Sequence, residues 1–238
     1  MNPATSALVV TDMQNYYLRP ESDFFRYCES GHPGGMEYIS RRARETVVPA
    51  IQALLKGFRA AGLPVIYLRL CGTDPDRSDL HRLFRESHQH GRAAGFADVY
   101  PLDGDPMANV IDEIAPQGDE LMVVKTTFSA FTRGNLEATL REKQITTLYM
   151  TGLATSQCVE TTARDASDRG FEVVHIEDAQ ADYTETSHHA SLYSSAAVCG
   201  GDIRSTEQVL AELDAPDANT TGASNPPLES ERKYQSSN

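Results

Sequence analysis

The chain has little positive charge and no long apolar run. It contains 21 Lys and Arg against 34 Asp and Glu, which gives a formal net charge of −13 at pH 7. Nucleic acids and anionic membranes are bound through basic faces, so this balance argues against both partners. The apolar runs are only strand-sized, and the N-terminus lacks a basic region followed by an apolar stretch. We therefore predict a cytoplasmic protein without a signal peptide or transmembrane helix.

Cysteine is also scarce, and its spacing excludes two common uses. The four cysteines, Cys28, Cys71, Cys158 and Cys199, are far apart, and no pair has the CxxC spacing of zinc or redox sites. Scattered thiols without a secretion signal are typical of a reducing cytoplasm rather than of a disulfide framework. Three of the four are interpreted as structural, and Cys158 is the exception.

Short apolar runs alternate with helical patterns along most of the chain. This order predicts an α/β fold, a single Rossmann-like three-layer α/β/α domain with a mainly parallel six-stranded sheet. We assign the domain to residues 1–213 and expect a disordered tail at 214–238, where apolar residues are almost absent. Residues 18–39 and 71–105 are interpreted as long loops, and 106–115 as a short helix. The predicted strands are 7–11, 64–70, 120–124, 145–150, 171–176 and 201–204.

Three chemically active residues stand at or just after the ends of predicted strands. Asp12 follows the first strand, Lys125 the third, and Cys158 the fourth. Ligands of open α/β sheets bind beyond the carboxyl ends of the strands, and parallel strands place these ends on one edge. We therefore expect the three side chains to meet. A thiol nucleophile, a carboxylate that moves its proton and an ammonium that stabilises their charges form a coherent set for hydrolysis.

The segment around Cys158 is interpreted as a strand end, a tight turn and a helix. Gly152 permits the turn, and a helix is predicted from Thr155 or Ser156 to Arg169, with Gly170 in the left-handed position after it. Cys158 would then lie in the first helical turn. Backbone N–H groups there lack partners and the helix dipole is positive, so we expect a thiolate and a place for an oxyanion.

At these residues the sequence resembles the isochorismatase-like cysteine hydrolases, the superfamily of nicotinamidases, N-carbamoylsarcosine amidase and ureidoacrylate amidohydrolases. Three motifs carry the resemblance: VTDMQN at 10–15, VKTTFSAF at 124–131 and TGLATSQCVETTARDA at 151–166. Weaker support comes from GFADVYP at 95–101, Glu177-Asp178 and HASL at 189–192. In order and spacing the match covers about residues 6 to 212.

The resemblance implies a catalytic triad of Asp12, Lys125 and Cys158. It also implies a cis peptide bond between Leu153 and Ala154, an oxyanion hole formed by the N–H groups of Ala154 and Cys158, and a thioester intermediate that water resolves. The family assembles as dimers or tetramers, so a homo-oligomer is expected. Pocket residues suggested for the substrate are Tyr17, Phe131, Gln157 and Tyr183.

The departures from the family pattern narrow the range of expected substrates. Family members that hydrolyse the vinyl ether of isochorismate can lack the thiol, whereas this chain has Cys158. The first expectation is therefore a small-molecule ureide or N-carbamoyl substrate, and the second a primary carboxamide, cleaved without a cofactor. After the first strand, Tyr16 and Tyr17 stand where the family motif often has Asp-Phe, so the shape of the pocket is not predicted. Two rivals from other classes remain, a ligand-binding protein of the same fold and a thiol redox protein.

Within the resemblance, a nicotinamidase-type, metal-assisted amidase and an isochorismatase-type hydrolase are further alternatives. Nicotinamidases carry a metal-binding Asp-x-His soon after the second strand, and here Asp79-Leu-His81 occurs well downstream, followed by His88 and His90. Imidazole and carboxylate groups are ligands for divalent metals. The stretch Asp76-Arg-Ser-Asp79 looks more like the loop of the metal-free ureido and carbamoyl hydrolases, so no metal is assigned. His188 and His189, on a predicted helix, are interpreted as structural.

Overall fold

A computed structural model describes residues 5–214 of the protein. Residues 215–238 lie outside the described range, so the predicted tail at 214–238 and the domain limits 1–213 stay predictions. Within the described residues, strands and helices alternate as the sequence predicts. The strands are β1 (Ser6–Thr11), β2 (Val65–Leu70), β3 (Leu121–Lys125), β4 (Thr147–Leu153), β5 (Glu172–Ala181) and β6 (Asp202–Arg204).

The α-helices occupy the connections between the strands and the end of the described chain. They are α1 (Asn15–Leu18), α2 (Asp23–Gly31), α3 (Glu37–Arg42), α4 (Val48–Ala60), α5 (Arg82–Ala93), α6 (Leu136–Glu142), α7 (Glu160–Asp168), α8 (Glu185–Cys199) and α9 (Thr206–Asp214). Two π-helical segments, Ala43–Val47 and Thr155–Val159, lead directly into α4 and α7. None of the helices in residues 5–214 combines the length and apolar character needed to cross a membrane.

All six strands form one parallel sheet in the order β3-β2-β1-β4-β5-β6. The strand order reverses beside β1, because the chain moves outward on one side through β2 and β3 and on the other through β4 to β6. This reversal creates the crevice in which open α/β sheets bind their ligands. The carboxyl ends of β1, β3 and β4 therefore lie on one edge, near the sheet centre, as the sequence analysis requires.

Side chains of the central strand alternate between two apolar layers. Leu8 and Val10 of β1 belong to one core cluster, with residues of α3, α4 and α9, whereas Ala7 and Val9 belong to a second, with residues of α6 and α7. Successive residues of a strand point to opposite faces, so a strand buried on both faces is apolar throughout. The three-layer α/β/α prediction is confirmed.

The predicted loops contain helices that the sequence analysis missed. Residues 18–39 include α2, capped by Ser22, and residues 71–105 include α5, which begins after His81. Both helices are mainly polar and bury few residues, Phe24 alone in α2 and three residues in α5, so the sequence has little apolar content from which to predict them. The predicted helix at 106–115 is wrong in type, because the structure has two short 3-10 turns, Pro106–Ala108 and Asp112–Ile114.

Candidate active site

Three buried side chains from three strand ends meet at the centre of the sheet edge. The ammonium nitrogen of Lys125 lies 2.8 Å from Asp12 Oδ2 and donates a hydrogen bond of 3.1 Å to Cys158 Sγ. The residues are 3%, 2% and 5% exposed, in the order Lys125, Asp12, Cys158. Lys125 thus bridges the carboxylate and the thiol. The convergence that the strand assignments predicted is present in the structure.

Asp12 is held in a backbone conformation that few non-glycine residues adopt. Its φ angle is 51°, in the left-handed region, which is strained for a residue with a side chain. The N–H group of Asp12 donates to Leu68 O at 2.9 Å. The neighbouring Gln14 side chain accepts from Leu70 N and donates to Leu70 O and Ala108 O, at 2.8, 3.2 and 2.7 Å. These bonds tie the segment that follows β1 to β2 and to the 3-10 turn that contains Ala108.

The motif that follows β3 holds Lys125 from the other side. Lys125 Nζ also donates to the carbonyl oxygen of Thr127 at 3.1 Å, and the Thr127 hydroxyl donates to Ser129 O at 2.8 Å. Ser129 Oγ donates in turn to Asp165 Oδ2 of α7 at 2.6 Å. The loop after Lys125 is therefore tied to the helix that continues from the Cys158 turn, so both parts of the site share one support.

The Cys158 turn is built as the sequence predicts in outline, with one difference in detail. Gly152 has φ 100°, and a Cβ there would collide with the backbone oxygen of Thr11. The peptide bond between Leu153 and Ala154 is cis. Cys158 then lies in the π-helical segment Thr155–Val159 rather than in the first turn of an α-helix, and α7 begins only at Glu160.

The electrostatics of the site contradict the expected resting thiolate. Burial raises the pKa of the Cys158 thiol far above its ordinary value, Asp12 raises it further, and Lys125 offsets only part of the increase. The pKa of Lys125 is lowered by burial, but Asp12 and Cys158 outweigh this effect and leave it raised. These shifts favour a neutral thiol beside a charged ammonium, because burial disfavours the anionic form of the thiol.

Two of the four predicted substrate contacts form a pair beside the site. Tyr17 OH donates to Tyr183 OH at 2.6 Å, joining α1 to the segment before α8. The pKa of each tyrosine is raised by burial first, and the nearby Cys158 adds to the increase. Gln157 is half-buried, next to Cys158 in the turn. The structure therefore brings Tyr17 and Tyr183 together, and Gln157 adjoins Cys158 in the turn.

Phe131 is not brought to this group. It belongs to the second core cluster, where its ring centroid lies 5.9 Å from that of Phe171 and 5.3 Å from the Arg169 guanidinium carbon. Tyr17 and Tyr183 are part of, or packed against, the first cluster on the opposite face of the sheet. The structure thus gives Phe131 a place in the packing of α7 and no place beside Tyr17.

A cluster of aromatic rings next to the triad was not predicted. Tyr16 makes edge contacts with Tyr17, Phe24 and Tyr100, with centroids 6.1, 5.4 and 5.9 Å apart. Its hydroxyl is buried and has no hydrogen-bond partner in residues 5–214. Burial and then Asp12 raise the pKa of Tyr16, so the hydroxyl keeps its proton. The replacement of the frequent Asp by Tyr16 in the first motif was the available signal.

Three of the four side chains considered as metal ligands, Asp79, His81 and His88, accept hydrogen bonds from nearby groups. Asp79 accepts from the backbone and hydroxyl of Thr73, and His81 Nδ1 accepts from Leu83 N at the start of α5. His88 Nδ1 accepts from Tyr100 N at 3.3 Å. In the described part of the chain, the single group of three potential ligands with donor atoms within 4.8 Å of one another is Glu177, His188 and His189. The structure does not gather Asp79, His81, His88 and His90 into such a group.

Residues 6–208 match the family model of the isochorismatase domain. The chain therefore belongs to the isochorismatase family, and the resemblance stated for its three motifs is confirmed. Among solved structures, a cysteine hydrolase from Pseudomonas syringae pv. phaseolicola is similar with a TM-score of 0.74 and 28% identity, covering 90% of this chain and 94% of that one. N-carbamoylsarcosine amidase from Thermoplasma acidophilum is similar with a TM-score of 0.62 and 25% identity, covering 90% and 99%.

Sequence relatives point to the same class of enzyme. The ureidoacrylate amidohydrolase RutB of Rhizobium rhizogenes is 31% identical over 186 residues, which is 75% of this chain and 71% of that protein. The N-carbamoylsarcosine amidase of an Arthrobacter species is 29% identical over 210 residues, 88% of this chain and 71% of that protein. The predicted class, a hydrolase of C–N bonds other than peptide bonds, is confirmed at this level.

Proposed function

We propose that the protein is a cysteine amidohydrolase that cleaves a C–N bond of a small ureide or N-carbamoyl compound. The observation that carries the proposal is the buried contact of Lys125 with both Asp12 and Cys158, at 2.8 and 3.1 Å. A carboxylate, an ammonium and a thiol in direct contact supply the proton acceptor, charge stabilisation and nucleophile of acyl transfer. The names of the relatives, ureidoacrylate amidohydrolase and N-carbamoylsarcosine amidase, favour the substrate class.

We assign the first proton transfer to Asp12, because burial favours the neutral form of the thiol. As Cys158 Sγ bonds to the substrate carbonyl carbon, the thiol proton passes to Asp12, and Lys125 stabilises the charges that develop. Asp12 then delivers the proton to the leaving nitrogen as the C–N bond breaks, which releases ammonia or an amine. Water attacks the remaining thioester, the C–S bond breaks, and the sulfur regains a proton.

The N–H groups of Ala154 and Cys158 are the proposed donors to the oxyanion. Both residues belong to one turn, in which the N–H groups of Gln157 and Val159 donate to Ala154 O at 3.1 and 3.3 Å. These bonds fix the peptide groups around Ala154 before a substrate binds. Donors that are already oriented stabilise a developing negative charge without reorganisation during the reaction.

In the proposed reaction the substrate meets aromatic surface and neutral hydroxyl groups. We propose that Tyr17, Gln157 and Tyr183 contact the part of the substrate that lies away from the cleaved bond. Tyr16, whose hydroxyl is buried and unpartnered within residues 5–214, can donate a hydrogen bond to a substrate carbonyl oxygen. A urea group presents that oxygen together with N–H donors, which matches Asp12 and Tyr16 better than an apolar substrate does.

The experiment that tests this proposal is ammonia release from ureides, N-carbamoyl amino acids, carboxamides and nicotinamide, before and after chelator treatment. Cys158→Ala is measured alongside. We expect chelator-resistant turnover of a ureide or N-carbamoyl compound that disappears in Cys158→Ala. If these compounds bind without turnover, the protein is a ligand-binding protein of the same fold and the proposal is wrong. If nicotinamide is turned over and a chelator stops the reaction, the protein is a metal-assisted amidase instead.

Assembly into a dimer or tetramer stays a prediction. Tyr193 and Val198, both on α8, are exposed large apolar side chains, 63% and 61% accessible. Such side chains are common at interfaces between copies of a chain. Light scattering at several protein concentrations measures the mass directly, and a monomer at all concentrations would contradict the prediction.

A further inference from the structure

A chain of two hydrogen bonds, one buried and one partly buried, joins the Cys158 turn to helix α3. Arg42 Nη2 of α3 lies 3.1 Å from His188 Nε2, and His188 Nδ1 lies 2.8 Å from Thr155 Oγ1. Thr155 is the first residue of the π-helical segment that carries Cys158, and its carbonyl oxygen accepts from Glu160 N. His188 and Thr155 are both fully buried. The side chain of His188 is therefore the link between a fixed arginine and the start of the nucleophile turn.

The contact with Arg42 determines which nitrogen of His188 carries the proton. A guanidinium group has donors and no acceptor, so His188 Nε2 must be the acceptor in this bond. In a neutral imidazole the other nitrogen then carries the hydrogen, and Nδ1–H donates to the Thr155 hydroxyl oxygen. The ring is neutral because burial, and then Arg42 and His189, lower the pKa of His188 to about 3.

Arg42 keeps its position through contacts that do not involve His188. Its Nε donates to Gln180 O at 2.9 Å, and its Nη2 donates to Glu177 O at 3.0 Å. The Glu177 carboxylate adds an ion pair at 3.4 Å. The guanidinium is thus anchored on β5, and it occupies the lone pair of His188 Nε2 that a metal ion would need.

A second bond holds the next residue of the turn. The N–H group of Ser156 donates to Asp182 Oδ2, and the other oxygen of Asp182 accepts from Tyr183 N at 2.7 Å. The turn is therefore held at two consecutive residues, by a backbone bond at Ser156 and by a side-chain bond at Thr155. Cys158 follows within one turn, so a shift of Thr155 displaces the thiol relative to Lys125.

We propose that His188 is a positioning residue for Cys158, which acts by donating its Nδ1–H to Thr155 and so holding the thiol against Lys125. The sequence analysis interprets His188 as structural, and the proposal adds to this a specific effect on the thiol. The proposal rests on the proposed function for its kinetic consequences only. The reactivity of the Cys158 thiol toward iodoacetamide reports on the same geometry without any substrate.

Two substitutions of His188 separate its two bonds. In His188→Asn the amide nitrogen can take the place of Nδ1 and donate to Thr155, while the contact with Arg42 is lost. In His188→Gln the amide oxygen can reach Arg42, while Thr155 loses its donor. We expect iodoacetamide to modify Cys158 of His188→Asn within about threefold of the parent rate. We expect a reduction of about tenfold or more in His188→Gln, since a small misplacement of reacting groups can cost about 100-fold.

Substitutions of Thr155 provide the matched controls. Thr155→Val removes the hydroxyl with nearly the same shape, and Thr155→Ser retains it. Thr155→Val should reduce the rate of Cys158 alkylation as much as His188→Gln does, and in turnover it should affect kcat more than KM. Thr155→Ser should retain most of the parent rate. In the double variant His188→Gln with Thr155→Val the losses should not add, because both changes remove one bond.

Three results would overturn the proposal. The first is an unchanged rate of Cys158 alkylation in His188→Gln, and the second is full reactivity of Cys158 in Thr155→Val. The third is an equal loss of alkylation rate in His188→Asn and His188→Gln that parallels the decrease in their melting temperatures. If the His188 variants do not fold, the two Thr155 variants decide the matter alone. The variants can differ in alkylation rate as expected while the parent protein turns over none of the compounds. That result would support the positioning role of His188 and reject the proposed function.

Discussion

Two buried cysteines lie beside the same Asp12–Lys125 pair, and only one of them has the contacts of a nucleophile. Cys71 directly follows β2, is fully buried, and donates its backbone N–H to Lys125 O at 3.2 Å. Burial raises its pKa to about 12, and Arg69 offsets part of the increase. Burial likewise dominates the raised pKa of Cys158. Depth in the fold therefore does not distinguish the two thiols.

What distinguishes them is the partner of each sulfur. Cys158 Sγ accepts a hydrogen bond from Lys125 Nζ and lies in a turn held through Thr155 and Ser156. In the described part of the chain the sulfur of Cys71 makes no hydrogen bond, and the residue lies just after the end of β2 rather than in a helical turn. The comparison teaches that a contact with the cation and a turn held beneath the sulfur distinguish the proposed nucleophile from its neighbour, since both thiols lie near the ion pair.

The largest expected effect comes from removing each thiol in turn. Cys158→Ala should lower kcat/KM by at least about 10³-fold, the scale seen when a nucleophile is deleted. Cys71→Ala should change it by less than about threefold, because its sulfur touches no group of the proposed mechanism. Steady-state ammonia release measures both. A comparable loss in Cys71→Ala, with an unchanged melting temperature, would break the comparison.

Removing the cation that Cys158 contacts should have the next largest effect. In Lys125→Met the Asp12 carboxylate remains buried without its partner, which costs about 3–5 kcal/mol of stability. Urea unfolding measures this loss. Combining Lys125→Met with Asp12→Asn removes both charges and should recover most of the stability without any turnover. A single variant as stable as the parent would show that the ion pair is not desolvated as the structure indicates.

The smallest expected effect is one that the two cysteines share. A thiol whose pKa is raised by folding stabilises the folded state below the pKa of the unfolded thiol, and this contribution is lost as pH rises toward the folded value. The stability difference between the parent and Cys71→Ala should therefore shrink between pH 8 and 10, by up to about 1.4 kcal/mol per pH unit. Cys158→Ala should behave in the same way. A difference that stays constant over this range would contradict the burial argument.

The strands and the triad could be predicted because short-range patterns encode them. A buried parallel strand is continuously apolar, as in β1 and β4, and the residue after such a strand lies at the ligand-binding edge. Asp12, Lys125 and Cys158 were found by this rule alone. Positive φ at Gly152 and Gly170 was equally visible, since turns after strands and helices favour glycine there.

The features that the sequence did not predict depend on contacts between segments that are distant along the chain. Helix α2 buries Phe24 against Tyr16, and α5 buries Phe84 at 5.3 Å from Tyr100, so their apolar sides are defined only by the assembled aromatic cluster. The link from His188 to Thr155 spans 33 residues of sequence. The raised pKa of Cys158 follows from burial on all sides, whereas the local sequence shows only a favourable helix start. Such features require the fold before they can be seen.

The central claim is that Cys158 forms a covalent acyl intermediate while Cys71 does not. It is tested by mixing the protein with a ureide or N-carbamoyl substrate that it turns over, quenching in acid within milliseconds, and mapping the modified peptide by mass spectrometry. We predict an adduct that retains the substrate carbonyl on Cys158, in the parent and in Cys71→Ala alike. Turnover with Cys158 unmodified at every quench time, or an adduct on Cys71, would contradict the account.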